Sequence, residues 1–209
     1  MRIHVIGGMG SGKTTLAVVL AERLAAPLYS LDDIAMQAGL DRRFRPLCPL
    51  DKRLSDVHAI ASGPSWVTEG SFLWWTRELL ATSDVIVWLD TSVWTALRRV
   101  VVRHVRDYLV DARVARGLRQ RLRVLRYPHL GHLLRFMGLT WNYYRSAGGR
   151  DRDIDDARAL SRIATAAELA PFMAKVLKCP TLPDIVNAIH GFQQPVGAEH
   201  ALAWGDVSV

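Results

Sequence analysis

Apolar positions along this chain follow two spacings in turn. Ile3, Val5 and Ile6 form a short apolar run, and then Ala17, Leu20, Ala21 and Leu24 recur at i, i+3, i+4 and i+7. The first spacing predicts a buried strand, and the second predicts a helix from about residue 15. The pair repeats. Leu28-Tyr29-Ser30-Leu31 predicts a second strand that ends on Asp32-Asp33. After an irregular stretch carrying Arg42, Arg43 and Arg45, a helix is predicted over residues 50–61. Leu50, Leu54, Val57 and Ala61 share one of its faces, and Gly63-Pro64 stops it. Trp66-Val67-Thr68 predicts a third strand ending on Glu69-Gly70, with a helical stretch over residues 73–81 behind it. Residues 84–90 read as the clearest buried strand, ending on Asp90. The next helix starts at Thr91 or Ser92, either of which can cap it. Trp94, Leu97, Val101, Val105 and Tyr108 are its expected apolar face.

The pattern changes over residues 107–150, which are arginine-rich and helical in tendency. Val114, Leu118, Leu122 and Leu125 repeat, Pro128 interrupts, and Leu133-Leu134, Phe136-Met137 and Trp141 resume the apolar character. An inserted helical pair covering the sheet edge is expected there, closed by Gly148-Gly149. Residues 159–164 suggest a last strand. Thr165 and Glu168 have the spacing of a capping box, which would open a helix over residues 169–177. The tail from residue 180 has little periodicity beyond a short helix at 184–189, and its end is expected to be loosely held. Strands alternating with helices predict an α/β chain: a mostly parallel sheet with helices on both faces and ligands at the strands' carboxyl ends. One domain is expected over residues 1–179, followed by the tail at 180–209.

Composition adds a charge asymmetry. The 209 residues are 50% hydrophobic, enough for a sizeable core, and carry a net charge of +7. Residues 98–152 hold 14 arginines against three acids, an excess of 11, so the remainder carries −4. A basic segment in an otherwise near-neutral chain suits an anionic ligand, though a bias of 23 arginines to four lysines also reflects base composition. No apolar run approaches a membrane span, and because the first strand begins at once no signal peptide is expected. Cys48 and Cys179 lack metal spacing and read as reduced thiols of a cytoplasmic protein. The seven histidines are scattered and read as structural.

The candidate chemistry is concentrated between the first strand and helix. Gly7-Gly8-Met9-Gly10-Ser11-Gly12-Lys13-Thr14 matches the phosphate-binding loop G-x-x-x-x-G-K-[ST], and Thr15 follows it. Glycines let the backbone turn tightly and present N–H groups to phosphate oxygens at a helix N-terminus. Lys13 can reach the β- and γ-phosphates of ATP, and the Thr14 hydroxyl can ligate Mg²⁺. Asp32 or Asp33 can accept a proton from an acceptor hydroxyl, or can simply cap a helix. Glu69 and Asp90 compete for the Mg²⁺ water shell. Arg99, Arg103 and Arg106, at i, i+4 and i+7, line a helix face that either stabilises a transferring phosphoryl group or is merely solvated.

These motifs together resemble the small P-loop kinases related to adenylate kinase. The similarity is greatest to the bacterial group labelled DNA topology modulation proteins. It is carried by Ile6 to Thr15, by Leu31-Asp32, by the run Trp66 to Phe72, and by the strand ending at Asp90 with its arginine-bearing helix. It implies a three-layer P-loop NTPase fold, with ATP·Mg²⁺ on Lys13 and Thr14 and the acceptor near Asp32. It also implies a metal-side carboxylate at Glu69 and lid arginines at Arg99 or Arg103, while the helical lid or insertion over residues 107–150 is long and unlike a standard adenylate kinase lid. The chain departs from the group in having Glu69 where Asp is usual. Ser71-Phe72-Leu73 stands where adenylate kinases carry Pro-Arg, which disfavours AMP as acceptor.

Two functional readings remain open at this level. The leading one is an ATP-dependent phosphotransferase acting on a small acceptor. The other is a nucleotide-dependent binding or switch ATPase whose basic segment contacts nucleic acid, anionic lipid or a protein partner. No N-K-x-D guanine reader and no DNA-reading motif are present, so the GTPase type and nucleic acid are not favoured.

Overall fold

The computed structural model describes residues 1–36, 47–114, 129–145 and 161–179. Strand β1 (Arg2–Gly7) leads into helix α1 (Lys13–Leu24) and then β2 (Leu28–Ser30). Helices α2 (Leu31–Ala35) and α3 (Leu50–Ala61) precede β3 (Trp66–Gly70), α4 (Arg77–Thr82) and β4 (Val85–Leu89). Helices α5 (Val93–Val114), α6 (His129–Arg145) and α7 (Arg162–Leu169) follow. A 3₁₀ segment (Ala170–Lys175) leads into β5 (Val176–Cys179). All five strands are parallel, in the order β2-β3-β1-β4-β5. This sheet, flanked by helices and entered through the glycine loop between β1 and α1, is the P-loop NTPase fold.

Register explains the layers, because partners across a parallel pair point to the same face. Ile3 stands beside Val67 and Val85, and Val5 beside Glu69 and Val87. With Leu16, Ala17 and Leu20 these apolar side chains bury the α1 face. The opposite face carries Ile6, Ile86 and Trp88, covered by Leu80 of α4, Ala96 of α5, Tyr143 and Tyr144 of α6, and Leu169 of α7. Further along that face Trp66 packs with Leu31, Val57, Phe72 and Trp75. Each Val, Leu, Ile or Phe among them contributes about 1.5–3 kcal/mol of hydrophobic transfer on burial.

Several expectations are corrected. In α3 the buried positions include Arg53, whose guanidinium lies 5.5 Å from the Trp75 ring centroid, while Leu54 is exposed. The helix after β3 begins only at Arg77. The buried face of α5 runs through Ala96, Leu97 and Val100, and Trp94 and Val105 are exposed. The reason is that α5 must set Ala96 against the loop at Gly10, which turns the expected stripe partly outward. Helix α6 lies over the sheet face at β1 and β4 as well as against α5, rather than only at an edge.

The C-terminal expectations shift most. Residues 161–169 form a capped helix instead of a strand: Ser161 Oγ accepts from the Ala164 N–H at 3.0 Å. Thr165 is therefore interior, and its hydroxyl donates to Ser161 O at 2.9 Å. Residues 176–179, expected to lie at and beyond the end of a helix, form the fifth strand instead, beside β4. Residues 37–46, 115–128, 146–160 and 180–209, with the expected 184–189 helix, lie outside the described residues.

Candidate active site

The loop Gly7 to Thr15 crosses the carboxyl end of β1. Gly10 has φ 73° and Gly12 has φ 98°, left-handed values that favour glycine. Gly12 is the N-cap of α1, so the helix's unsatisfied N–H groups open into the loop. Ser11 N–H closes the turn on Gly8 O at 3.3 Å. Lys13 Nζ donates to Gly8 O at 3.2 Å, which folds the side chain back over the loop. The Ser11 hydroxyl is buried without a hydrogen-bond partner, the kind of orphan an anion's oxygen would satisfy.

Glu69 is the acid next to Lys13. It is 5% exposed and sits on β3 beside Val5 and Ser30, on the α1 side of the sheet. Burial pushes its carboxyl above the ordinary 4.5. Lys13 pulls it back down, Asp32 pushes it up, and hydrogen bonds from Thr14 and Ser30 stabilise the charged form. Lys13, Thr14, Ser30 and Asp32 therefore all bear on the Glu69 carboxyl. Asp32 and Asp33 are exposed in the first turn of α2, directly after β2.

The arginines separate. Arg99 Nη1 donates to Ser11 O at 2.6 Å and to Gly10 O at 3.4 Å, so it caps the loop's carbonyls. Arg103, exposed one turn on, is not bonded to the loop. Asp90 is held elsewhere: its carboxylate accepts from Arg162 Nη2 at 2.5 Å and pairs with Lys178 Nζ at 3.0 Å.

The donor set fits a nucleotide with Mg²⁺. Positive-φ glycines, an orphaned hydroxyl, a lysine and a threonine hydroxyl beside a buried carboxylate supply few protein ligands of their own. Mg²⁺ commonly takes one or two such ligands and completes its shell with water and phosphate. Among the described residues, no group of three His, Cys, Asp or Glu gathers as a self-contained metal cage.

Sequence reasoning missed Tyr143, whose ring lies against Gly8 and whose hydroxyl is 3.1 Å from Thr165 Oγ1. It also missed Arg162 and Lys178. Their only sequence signal was Asp90 itself, weighed there as a metal carboxylate, since a carboxylate at a buried strand end needs a counter-charge.

No protein-family model matches the chain, and no curated protein matches it. Among solved structures, it overlaps a shikimate kinase from Aquifex aeolicus at 15% identity, with a TM-score of 0.46, over 92% of this chain and 98% of the other. A shikimate kinase from Bacteroides thetaiotaomicron overlaps at 17% and 0.43, over 92% and 97%. An uncharacterized protein from Eubacterium ventriosum overlaps at 16% and 0.43, over 92% and 98%. Overlaps of this size assign no substrate.

Proposed function

We propose that the protein is an ATP- and Mg²⁺-dependent phosphotransferase that moves the γ-phosphoryl group to a small hydroxyl-bearing acceptor. The observation that carries this reading is the cluster of Lys13, Thr14, Glu69 and Asp32 at the carboxyl ends of β1 to β3. Loop amides and Lys13 hold the β- and γ-phosphates. The Thr14 hydroxyl would ligate Mg²⁺, and the Glu69 carboxylate would hold its water shell. When bound, Mg²⁺ would supply positive charge that offsets the negative charge developing on transfer.

Asp32, with Asp33 beside it, orients the acceptor and takes its hydroxyl proton as the new O–P bond forms and the bridging β,γ bond breaks. Arg99 positions the loop by holding its carbonyls, and Arg103, one turn further along α5, would serve the transferring phosphoryl group. Residues 1–179 act as one kinase unit in this proposal. The run Trp66 to Phe72 supports kinship with the DNA topology modulation group of adenylate-kinase-related proteins, and no DNA role is carried over.

The test is ATP consumption screened against nucleosides, nucleoside monophosphates, sugars and hydroxylated metabolites, with Lys13→Ala as control. One acceptor should stimulate ADP release, and Lys13→Ala should lower it at least ~100-fold with unchanged circular dichroism. Wild-type turnover in Lys13→Ala would end this reading.

A further inference from the structure

Helices α5 and α6 leave apolar side chains in water. Trp94 is 66% exposed and Val102 58%, and Val105 and Leu109 are also exposed. At 100° per residue these four fall in a band about 80° wide along α5. On α6, Leu134 is 58% exposed and Trp141 40%, and the two share one face at i, i+7. The bands meet where the Trp94 and Trp141 rings touch edge to face, 5.9 Å between centroids. Ala96 and Arg99, which contact the phosphate loop, are turned about 100° or more from the centre of the α5 band. This apolar side is therefore separate from the nucleotide site.

The described charges on it are of one sign. Arg98 lies within the α5 band, Arg106 borders it, and the Arg145 guanidinium sits 5.2 Å from the Trp141 ring centroid. Among the described side chains of the two helices Asp107 is the one acid, and it falls on the far side of α5 from the band. Neither helix is long and apolar enough to cross a membrane. A face with tryptophan and aliphatic side chains flanked by arginine, and without acids among its described side chains, matches a surface that seats in the headgroup region of an anionic bilayer. A second copy fits it worse, since self-pairing would bring arginine against arginine. Nucleic acid also fits worse, because Val102, Val105, Leu109 and Leu134 offer nothing to phosphates.

We propose that this side of the α5–α6 pair docks the protein on anionic lipid. The test is co-sedimentation of the full chain with vesicles of phosphatidylcholine alone and of phosphatidylcholine with phosphatidylglycerol, at low and high salt. Binding should require phosphatidylglycerol and fall with salt. Val105→Asp and Leu134→Asp should each cut it about tenfold, and Val18→Asp on α1 should not. All three should bind ATP as wild type does, which separates this result from the kinase reading. No vesicle binding, binding equal on neutral vesicles, or unaffected Val105→Asp and Leu134→Asp variants would each overturn the proposal. So would a dimer in sedimentation equilibrium that Val105→Asp dissociates, or salt-sensitive binding to random DNA, if either occurs without vesicle binding.

Discussion

A Cβ added at Gly8 would lie 2.3 Å from Cδ1 of Tyr143. The phosphate loop and helix α6, far apart in sequence, are therefore fitted to each other without room for a methyl group. Tyr143 is 3% exposed and fixed at its other end by the Thr165 hydroxyl, so it has little freedom to withdraw. Gly8→Ala should cost about 1–3 kcal/mol through overpacking and weaken ATP binding. Tyr143→Ala opens the space, so Gly8→Ala added to it should do less harm than it does alone. A double-mutant cycle on urea unfolding and nucleotide affinity should show coupling of roughly 1 kcal/mol or more. Simple additivity would mean that the loop moves away from α6 on its own.

Glu69 predicts a trade between stability and activity. Its folded carboxyl is raised, mainly by burial. The folded state therefore binds the proton more tightly than the unfolded chain, and stability falls as pH rises from the ordinary 4.5 through the raised value. Glu69→Gln removes the buried charge and keeps groups able to meet Thr14 and Ser30. It should match or exceed the wild type's Tm at neutral pH while losing Mg²⁺-dependent turnover. Scanning calorimetry beside an ADP-release assay checks both halves, and an active variant would remove Glu69 from the metal side.

Asp90 should behave in the opposite way. Its carboxyl is 5% exposed, and its partners Arg162 and Lys178 are about half exposed. Asp90→Asn leaves Arg162 and Lys178 without their counter-charge and should cost about 1.5–3 kcal/mol. Mg²⁺·ATP affinity, measured by calorimetric titration where the variant is still folded, should be close to wild type. A loss of Mg²⁺ dependence there would move the metal's carboxylate from Glu69 to Asp90.

His4 gives an acid-side signature. It is fully buried on β1, its Nδ1 lies 2.7 Å from Thr68 Oγ1, and burial lowers its pKa from 6.5 to about 4. Between those values the unfolded chain takes up a proton that the folded protein refuses, so stability is lost as pH falls from 6.5 towards 4. Replacing both partners, His4→Val with Thr68→Val, should remove that slope from urea midpoints measured across the window. A slope unchanged from wild type would assign it to other groups.

What the sequence determined about this protein was local. A glycine-rich turn between an apolar run and a 3.6-residue periodicity specifies a phosphate loop, because backbone conformation and helix N–H groups suffice to build one. Four strands were legible for the same reason: each is a short apolar run between breakers. The clustering of Glu69 with Lys13 and Thr14 followed from strand adjacency, which parallel α/β connections make regular.

Tertiary structure decided what depends on partners distant in sequence. Residues 176–179 became a strand only because β4 offers an open edge, and Thr165 went inside because Ser161 took the cap. Asp90 was drawn to Arg162 and Lys178, since a buried carboxylate requires cations that sequence spacing does not bring near. Tyr143 against Gly8, and the outward turn of Trp94 and Val105, follow from how α5 and α6 pack on the loop. That packing is set by surfaces meeting across the fold, and no periodicity along one helix records it.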